Sequence, residues 1–255
     1  MSDRGPTLIT TSWDDGHPLD LRIASLLARH GLRGTFYLPL RAVADRLLSP
    51  VEIRELHAMG MEIGSHTVTH PVLTRLPRRE LDRELRDSRR ILEDLLGTPV
   101  TSFCYPGGKF NRTVARRAAL AGYHVCRTTI GFQTSARFDP VRMPVSMQLF
   151  PHTASTHYRH ALRYGNWRGV WKWRRSLAGE TDTERLASAI ASEVAARGGV
   201  FHLWGHSWEI ERFALWNKLE RIAASLSSLE KAVAVTNRQV GKAIGGGVAA
   251  AAGNA

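Results

Sequence analysis

Long apolar runs are missing from this sequence. No stretch is apolar over enough residues to cross a bilayer, and Met1 to Pro6 holds Asp3 and Arg4 but no apolar signal-peptide core. The expectation is a soluble, cytoplasmic protein that reaches a membrane only by peripheral contact. Cysteine is scarce: Cys104 and Cys126 sit in apolar, strand-like runs, which excludes a disulfide scaffold and reads as reduced core thiols. No internal repeat is found. Helix-turn-helix, zinc-finger and RNA-binding signatures are also lacking, so nucleic acid is not an expected partner. Acidic residues are in short supply, 23 against 35 Lys and Arg, for a formal net charge of +12. That excess is spread along the chain and favours anionic partners such as phosphates, acidic glycans or an anionic membrane surface. The 255 residues are 43% hydrophobic, enough for the core of one α/β domain.

The first half alternates in period. Leu8–Trp13 reads as a strand, Leu19–His30 as a helix stopped by Gly31, and Gly34–Leu38 as a second strand. Ser49-Pro50-Val51-Glu52 has the form of a capped helix start, with the helix ending near Gly60. Strands follow at Met61–Gly64, Val100–Tyr105 and Tyr123–Cys126, separated by helices at Arg78–Leu96 and Asn111–Ala121. Such alternation implies a parallel sheet, open or closed. Residues 137–179 look less regular. A helix at Thr183–Arg197, a strand at Gly199–Trp204 and a helix from Trp216 to about Val233 complete the pattern. The expected boundaries are a flexible 1–6, one domain over 7–238, and a Gly/Ala-rich tail without structure over 239–255.

Three polar clusters follow strand ends. Asp14 and Asp15 close the first strand at Gly16; alone they could be a turn. His66 and His70 lie four apart, a spacing that puts both imidazoles on one side of a helical turn, as a metal requires. His206 ends an apolar strand between Trp204 and Trp208. Together they make a coherent set. Asp15, His66 and His70 would bind a metal with a position left for water, Asp14 would accept that water's proton, and His206 would protonate a leaving nitrogen. An acid and a base of this kind imply a bell-shaped pH–rate profile.

At these residues the sequence resembles the polysaccharide deacetylases, the NodB-homology domain of carbohydrate esterase family 4. Thr11-Ser12-Trp13-Asp14-Asp15-Gly16, Ser65-His66-Thr67-Val68-Thr69-His70-Pro71, Cys104-Tyr105-Pro106-Gly107-Gly108-Lys109 and Leu203-Trp204-Gly205-His206-Ser207-Trp208 are similar to its motifs, in order. The resemblance implies a distorted (β/α) barrel of seven or eight strands, in a single domain. It makes Asp14 the base, His206 the acid, and Asp15, His66 and His70 the ligands of a divalent metal, usually zinc. It places Tyr105, Pro106, Gly107 and Trp208 at the substrate, with a backbone N–H near Gly107 on the oxyanion. The implied reaction removes an N-acyl group, acetyl above all, from an amino sugar in a glycan, glycolipid or nucleotide sugar, anionic or lipid-linked substrates included. Two departures stand out. Cys104 replaces an arginine that in the family pairs with the base, with Arg142 as a substitute, and Gly205 lengthens the last motif, which leaves His202 as a rival acid. The alternatives are a deformylase or cyclic-amide hydrolase of the same fold, or an inactive sugar-binding homologue. Trp167, Trp171 and Trp173, set among arginines, are either core residues or a source of substrate or membrane contact.

Overall fold

The computed structural model describes residues 6–41 and 46–252. β1 (Thr7–Asp14) is buried at every position, as befits a β-branched strand covered on both faces. α1 (Asp20–Arg29), β2 (Gly34–Leu38), α2 (Pro50–Ala58) and β3 (Glu62–Ser65) continue the alternation. α2 starts on the expected reciprocal cap: Ser49 accepts from the Glu52 N–H and the Glu52 carboxylate accepts from the Ser49 N–H. α3 (Arg78–Leu96) buries Leu81, Leu85, Ser88 and Leu92, a stripe at helical spacing, and ends at Gly97 with φ 66°. β4 (Ser102–Cys104), α4 (Arg112–Leu120) and β5 (Val125–Arg127) follow, α4 capped by the Asn111 side chain on the Val114 N–H.

The stretch 137–179 is more regular than its sequence suggests. It holds the short strand β6 (Met147–Gln148) and two helices, α5 (Ala154–Tyr164) and α6 (Trp167–Ser176). Gly165 at φ 62° breaks them apart, and the Asn166 side chain caps the second on the Gly169 N–H. α7 (Thr183–Arg197), β7 (Gly199–His206), α8 (Ser207–Arg212) and α9 (Trp216–Ser227) come next. The last helix stops short of Val233, because Ala232–Ala234 leaves it to form β8 on the edge of β1.

The tail is also a correction. α10 (Asn237–Ala252) is helical where no structure was expected. Alanine favours helix, and two anchors fix its start. Val240 is fully buried with Leu8, Val125, Met143 and Val200. Asn237 accepts from the Thr10 hydroxyl (2.8 Å) and gives its side-chain N–H to the Tyr37 hydroxyl (2.8 Å). Residues 1–5 and 253–255 of the two expected tails lie outside the described residues.

The sheet runs β5-β4-β3-β2-β1-β7-β6, with β8 paired to the start of β1. All its ladders are parallel. Residues 143–146 run from β5 to β7: the Met143 N–H donates to the Cys126 carbonyl (2.9 Å), Val145 to Ile130 (3.0 Å) and Ser146 to His202 (2.9 Å). The result is the implied distorted (β/α) barrel. Register aligns the C-terminal ends of its strands, with Asp14 opposite both Tyr37 and His206 and Cys104 opposite Arg127. All the expected site residues follow from that rim.

Candidate metal centre and active site

The strand β1 delivers Asp14 in extended backbone, and the chain then turns at Asp15 (φ 77°) and Gly16 (φ 62°). A left-handed aspartate costs on the order of 1–2 kcal/mol, and here it makes two consecutive carboxylates face different partners. Asp14 is buried and bonded by Nη2 of Arg127, itself fully buried. Burial would raise the Asp14 pKa, but the Arg127 guanidinium brings it down to about 2. Arg127 therefore takes the place given to Arg142, whose guanidinium lies over the Phe110 ring instead, 5.6 Å from its centroid. Asp15 points the other way. Its Oδ2 accepts from Trp208 Nε1 (3.2 Å), and its Oδ1 faces His66 Nε2 (3.8 Å) and His70 Nε2 (3.7 Å).

His66 and His70 are not on a helix. They bracket a loop in which Thr67 (φ 72°) and His70 (φ 54°) are left-handed. Glu84 of α3 ties that loop down by accepting from the Val68 N–H (2.8 Å), the Thr69 N–H (3.0 Å) and the Thr69 hydroxyl (2.7 Å). The turn brings the two Nε2 atoms to 3.2 Å. His66 Nδ1 lies 2.8 Å from the Cys104 carbonyl. A carbonyl only accepts, so the ring proton sits on Nδ1 and the Nε2 lone pair faces Asp15 and His70. Burial and the facing His70 hold His66 at about 4, against the pull of Asp14, so the ring is neutral.

These three atoms fit a divalent cation. The circle through points spaced 3.2, 3.7 and 3.8 Å apart has a radius of about 2.1 Å, the ~2.0–2.2 Å of zinc bonds to imidazole and carboxylate. One carboxylate and two neutral imidazoles, one of them oriented by a backbone carbonyl, are the donor set and outer support that zinc uses. Asp14, His66 and Cys104 also bring one ligand atom each to within 4.8 Å of one another. There, burial keeps the thiol protonated and Asp14 is committed to Arg127, so that trio is a poorer ligand set.

His206 ends β7 on the other side of Asp15, its Nε2 3.7 Å from Asp15 Oδ2. Its Nδ1 bonds Glu209 Oε2 at 2.6 Å. Burial disfavours the charged ring, but the Glu209 bond and the charges of Asp14, Glu209 and Asp15 outweigh it and raise the pKa to about 9. The rival His202 lies inside the barrel, 1% exposed, bonded to the Ser12 hydroxyl (2.8 Å) and near the Pro144 carbonyl (3.1 Å). Burial drives its pKa down to about 3, and it does not border the cleft.

Asp14, Asp15, His66, His70, Gly107 and His206 line one open cleft of about 210 Å³. Gly107 (φ 58°) and Gly108 (φ 65°) are the parts of the third motif that reach it. Tyr105 and Pro106 do not. Both are buried, and the Tyr105 ring stacks on Phe110 while its hydroxyl donates to the Val141 carbonyl (2.8 Å). Trp208 acts behind the cleft, on Asp15 and against His206 (5.3 Å between rings). The far wall adds Thr129, Gln148, His152, His160 and Trp204, from segments the sequence left unassigned or gave no role. Arg127, Glu209 and Glu84 are the site residues that sequence reasoning missed. An arginine ending the apolar run Tyr123–Cys126 was the one visible signal for the first.

Fold and cleft define a (β/α)-barrel protein whose polar groups converge at the C-terminal rim of the strands. Residues 2–126, just under half of the chain, match the model of the family described as polysaccharide deacetylase. A chitooligosaccharide deacetylase of Sinorhizobium fredii is 31% identical over 126 residues, 48% of this chain and 56% of that protein. Chitin deacetylase 1 of Cryptococcus neoformans var. grubii is 31% identical over 134 residues, 49% of this chain and 28% of that one. The fold matches that of a family 4 acetyl xylan esterase from Clostridium thermocellum, solved in complex with a cobalt ion. The TM-score is 0.60 at 18% identity, over 93% of this chain and 91% of the other. The chain spans about half the length, or less, of the curated relatives it matches.

Proposed function

We propose that the protein is a metal-dependent hydrolase that removes an N-acetyl group from an amino sugar. The observation that carries this reading is the Asp15–His66–His70 triangle, flanked in one cleft by an ionised Asp14 and a cationic His206. The family supports the reaction class, since its named relatives deacetylate chitin and chitooligosaccharides.

Asp15, His66 and His70 would hold the cation, zinc by the chemistry of the donors. When bound, a divalent cation polarises the amide carbonyl and makes a water molecule acidic enough to attack at neutral pH. Asp14 takes the proton of the attacking water; Arg127 and the Cys104 thiol (3.7 Å) fix its orientation. Gly107, in the cleft wall, would offer its backbone N–H to charge on the carbonyl oxygen. His206, cationic and steadied by Glu209, gives its proton to the nitrogen as the C–N bond breaks. Acetate and a free amine leave, and the proton on Asp14 balances the one lost from His206. Substrates that are anionic or lipid-linked suit a chain of charge +12.

The test is acetate release from N-acetyl chitooligosaccharides and from N-acetylated glycolipids, with and without chelator. Release that a chelator abolishes and zinc restores is the expected result. Release that survives complete chelation overturns the metal-dependent reading.

A further inference from the structure

Between Asp139 and Glu180 the sequence has no acidic residue but seven Arg or Lys, more than half of the chain's net charge of +12. Six of them are on α5 and α6. Lys172 turns inward to Glu193 (2.9 Å), while Arg159, Arg163, Arg168, Arg174 and Arg175 are exposed and make no ion pair among the described residues. The same two helices expose large apolar side chains in pairs one turn apart. Tyr158 and Leu162 are 37% and 67% exposed on α5, Trp167 and Trp171 54% and 63% on α6. That is four of the nine large hydrophobics exposed among the described residues, concentrated in fourteen positions. The core does not need them: α6 buries Val170 and Trp173 on its inner face.

This surface is continuous with the mouth of the active site. Arg163 Nη2 donates to the Gly107 carbonyl (3.1 Å) and the Tyr164 hydroxyl to that of Gly108 (3.0 Å). His160, Arg163 and Tyr164 line the cleft itself.

We propose that the outer face of α5 and α6 docks the protein peripherally on an anionic lipid bilayer. Indole and leucine side chains one turn apart enter the headgroup–acyl boundary, and arginines beside them pair with lipid phosphates. A second copy of the chain is a poor occupant, because it would set unpaired arginines against arginines. Nucleic acid would use the arginines but not the exposed Leu162. The bilayer satisfies both, and it holds the cleft at the headgroup layer. There the substrate would be a lipid-carried amino sugar, a consequence that rests on the proposed deacetylase reading, whereas the docking does not.

The test is flotation of the full chain with vesicles of phosphatidylcholine alone and of phosphatidylcholine and phosphatidylglycerol at two to one. The protein is expected to float with the anionic vesicles, less so as salt rises, with a blue shift in tryptophan emission. Leu162→Ser/Trp167→Ser/Trp171→Ser and Arg168→Glu/Arg175→Glu should each weaken binding by roughly tenfold or more without moving the unfolding midpoint, since the side chains are exposed. Val51→Ser, at an exposed apolar site outside the segment, should bind as the parent does. A parent protein that stays unbound at low salt overturns the proposal. So do variants that float like the parent, or a preference for duplex DNA over the anionic vesicles. None of these readouts depends on catalysis.

Discussion

Asp14 is held by a single buried cation. Both Arg127 and Asp14 are out of water, and Arg127 Nε and Nη1 have no hydrogen-bond partner among the described residues. Removing one member of such a pair leaves an uncompensated charge, so Arg127→Met should destabilise the fold by ~3–5 kcal/mol and abolish activity. Urea unfolding of the variant checks this, and an unchanged midpoint would show that the pair is not sustaining Asp14. Asp14→Asn and His206→Gln should each lower kcat ~10²–10⁴-fold while the metal content stays at the parent level. A parallel loss of metal would assign them to the ligand shell instead. At this scale Asp14, Asp15, His66, His70 and His206 were legible in the sequence, because each follows a recognisable strand end. Arg127 was not. It lies opposite Cys104 across the β4–β5 ladder, so the arginine expected on one strand is supplied from the same level of the next. That substitution is visible only once register is known.

Elements differ in how well the sequence announces them. α3, with a glycine stop at Gly97, charged faces and a clean apolar stripe, is readable to the residue, and so is β2. α5 and α6 were unread because their apolar residues face both ways: Trp173 is core while Trp167 and Trp171 are outside. β8 was mistaken for helix because a strand of three residues carries no period of its own. The loop of His66 and His70 was read as a helical turn, since a four-residue spacing cannot tell that from two left-handed residues clamped by a distant carboxylate. The clamp is Glu84 on α3. Glu84→Ala should release the loop and weaken zinc binding ~10–100-fold, the usual cost of losing outer support. Competition with a chromophoric chelator measures it, and an unaltered affinity would mean that the loop holds its shape unaided.

For the whole molecule, burial sets the pH response of stability. His152, His157 and His202 have pKa values lowered by burial to about 3, 4 and 3. Each is neutral in the fold and takes a proton near 6.5 when unfolded. Their contribution is complete above that pH and is lost as pH falls toward 4, at up to ~1.4 kcal/mol per pH unit for each ring. Urea midpoints should therefore drop from pH 7 to pH 5, and the drop should shrink in His157→Gln. A midpoint flat across that interval would contradict the neutral assignment. The barrel itself was readable from alternation, yet the link from β5 to β7 was not, because residues 143–146 make it with backbone bonds that leave no pattern in side chains. What the barrel is for rests on three atoms at its rim. The most direct measurement is elemental analysis of the purified protein and of His66→Ala/His70→Ala after incubation with zinc. About one ion per chain in the parent and none in the variant is the expected result. A parent that takes up no metal would contradict the account at its centre.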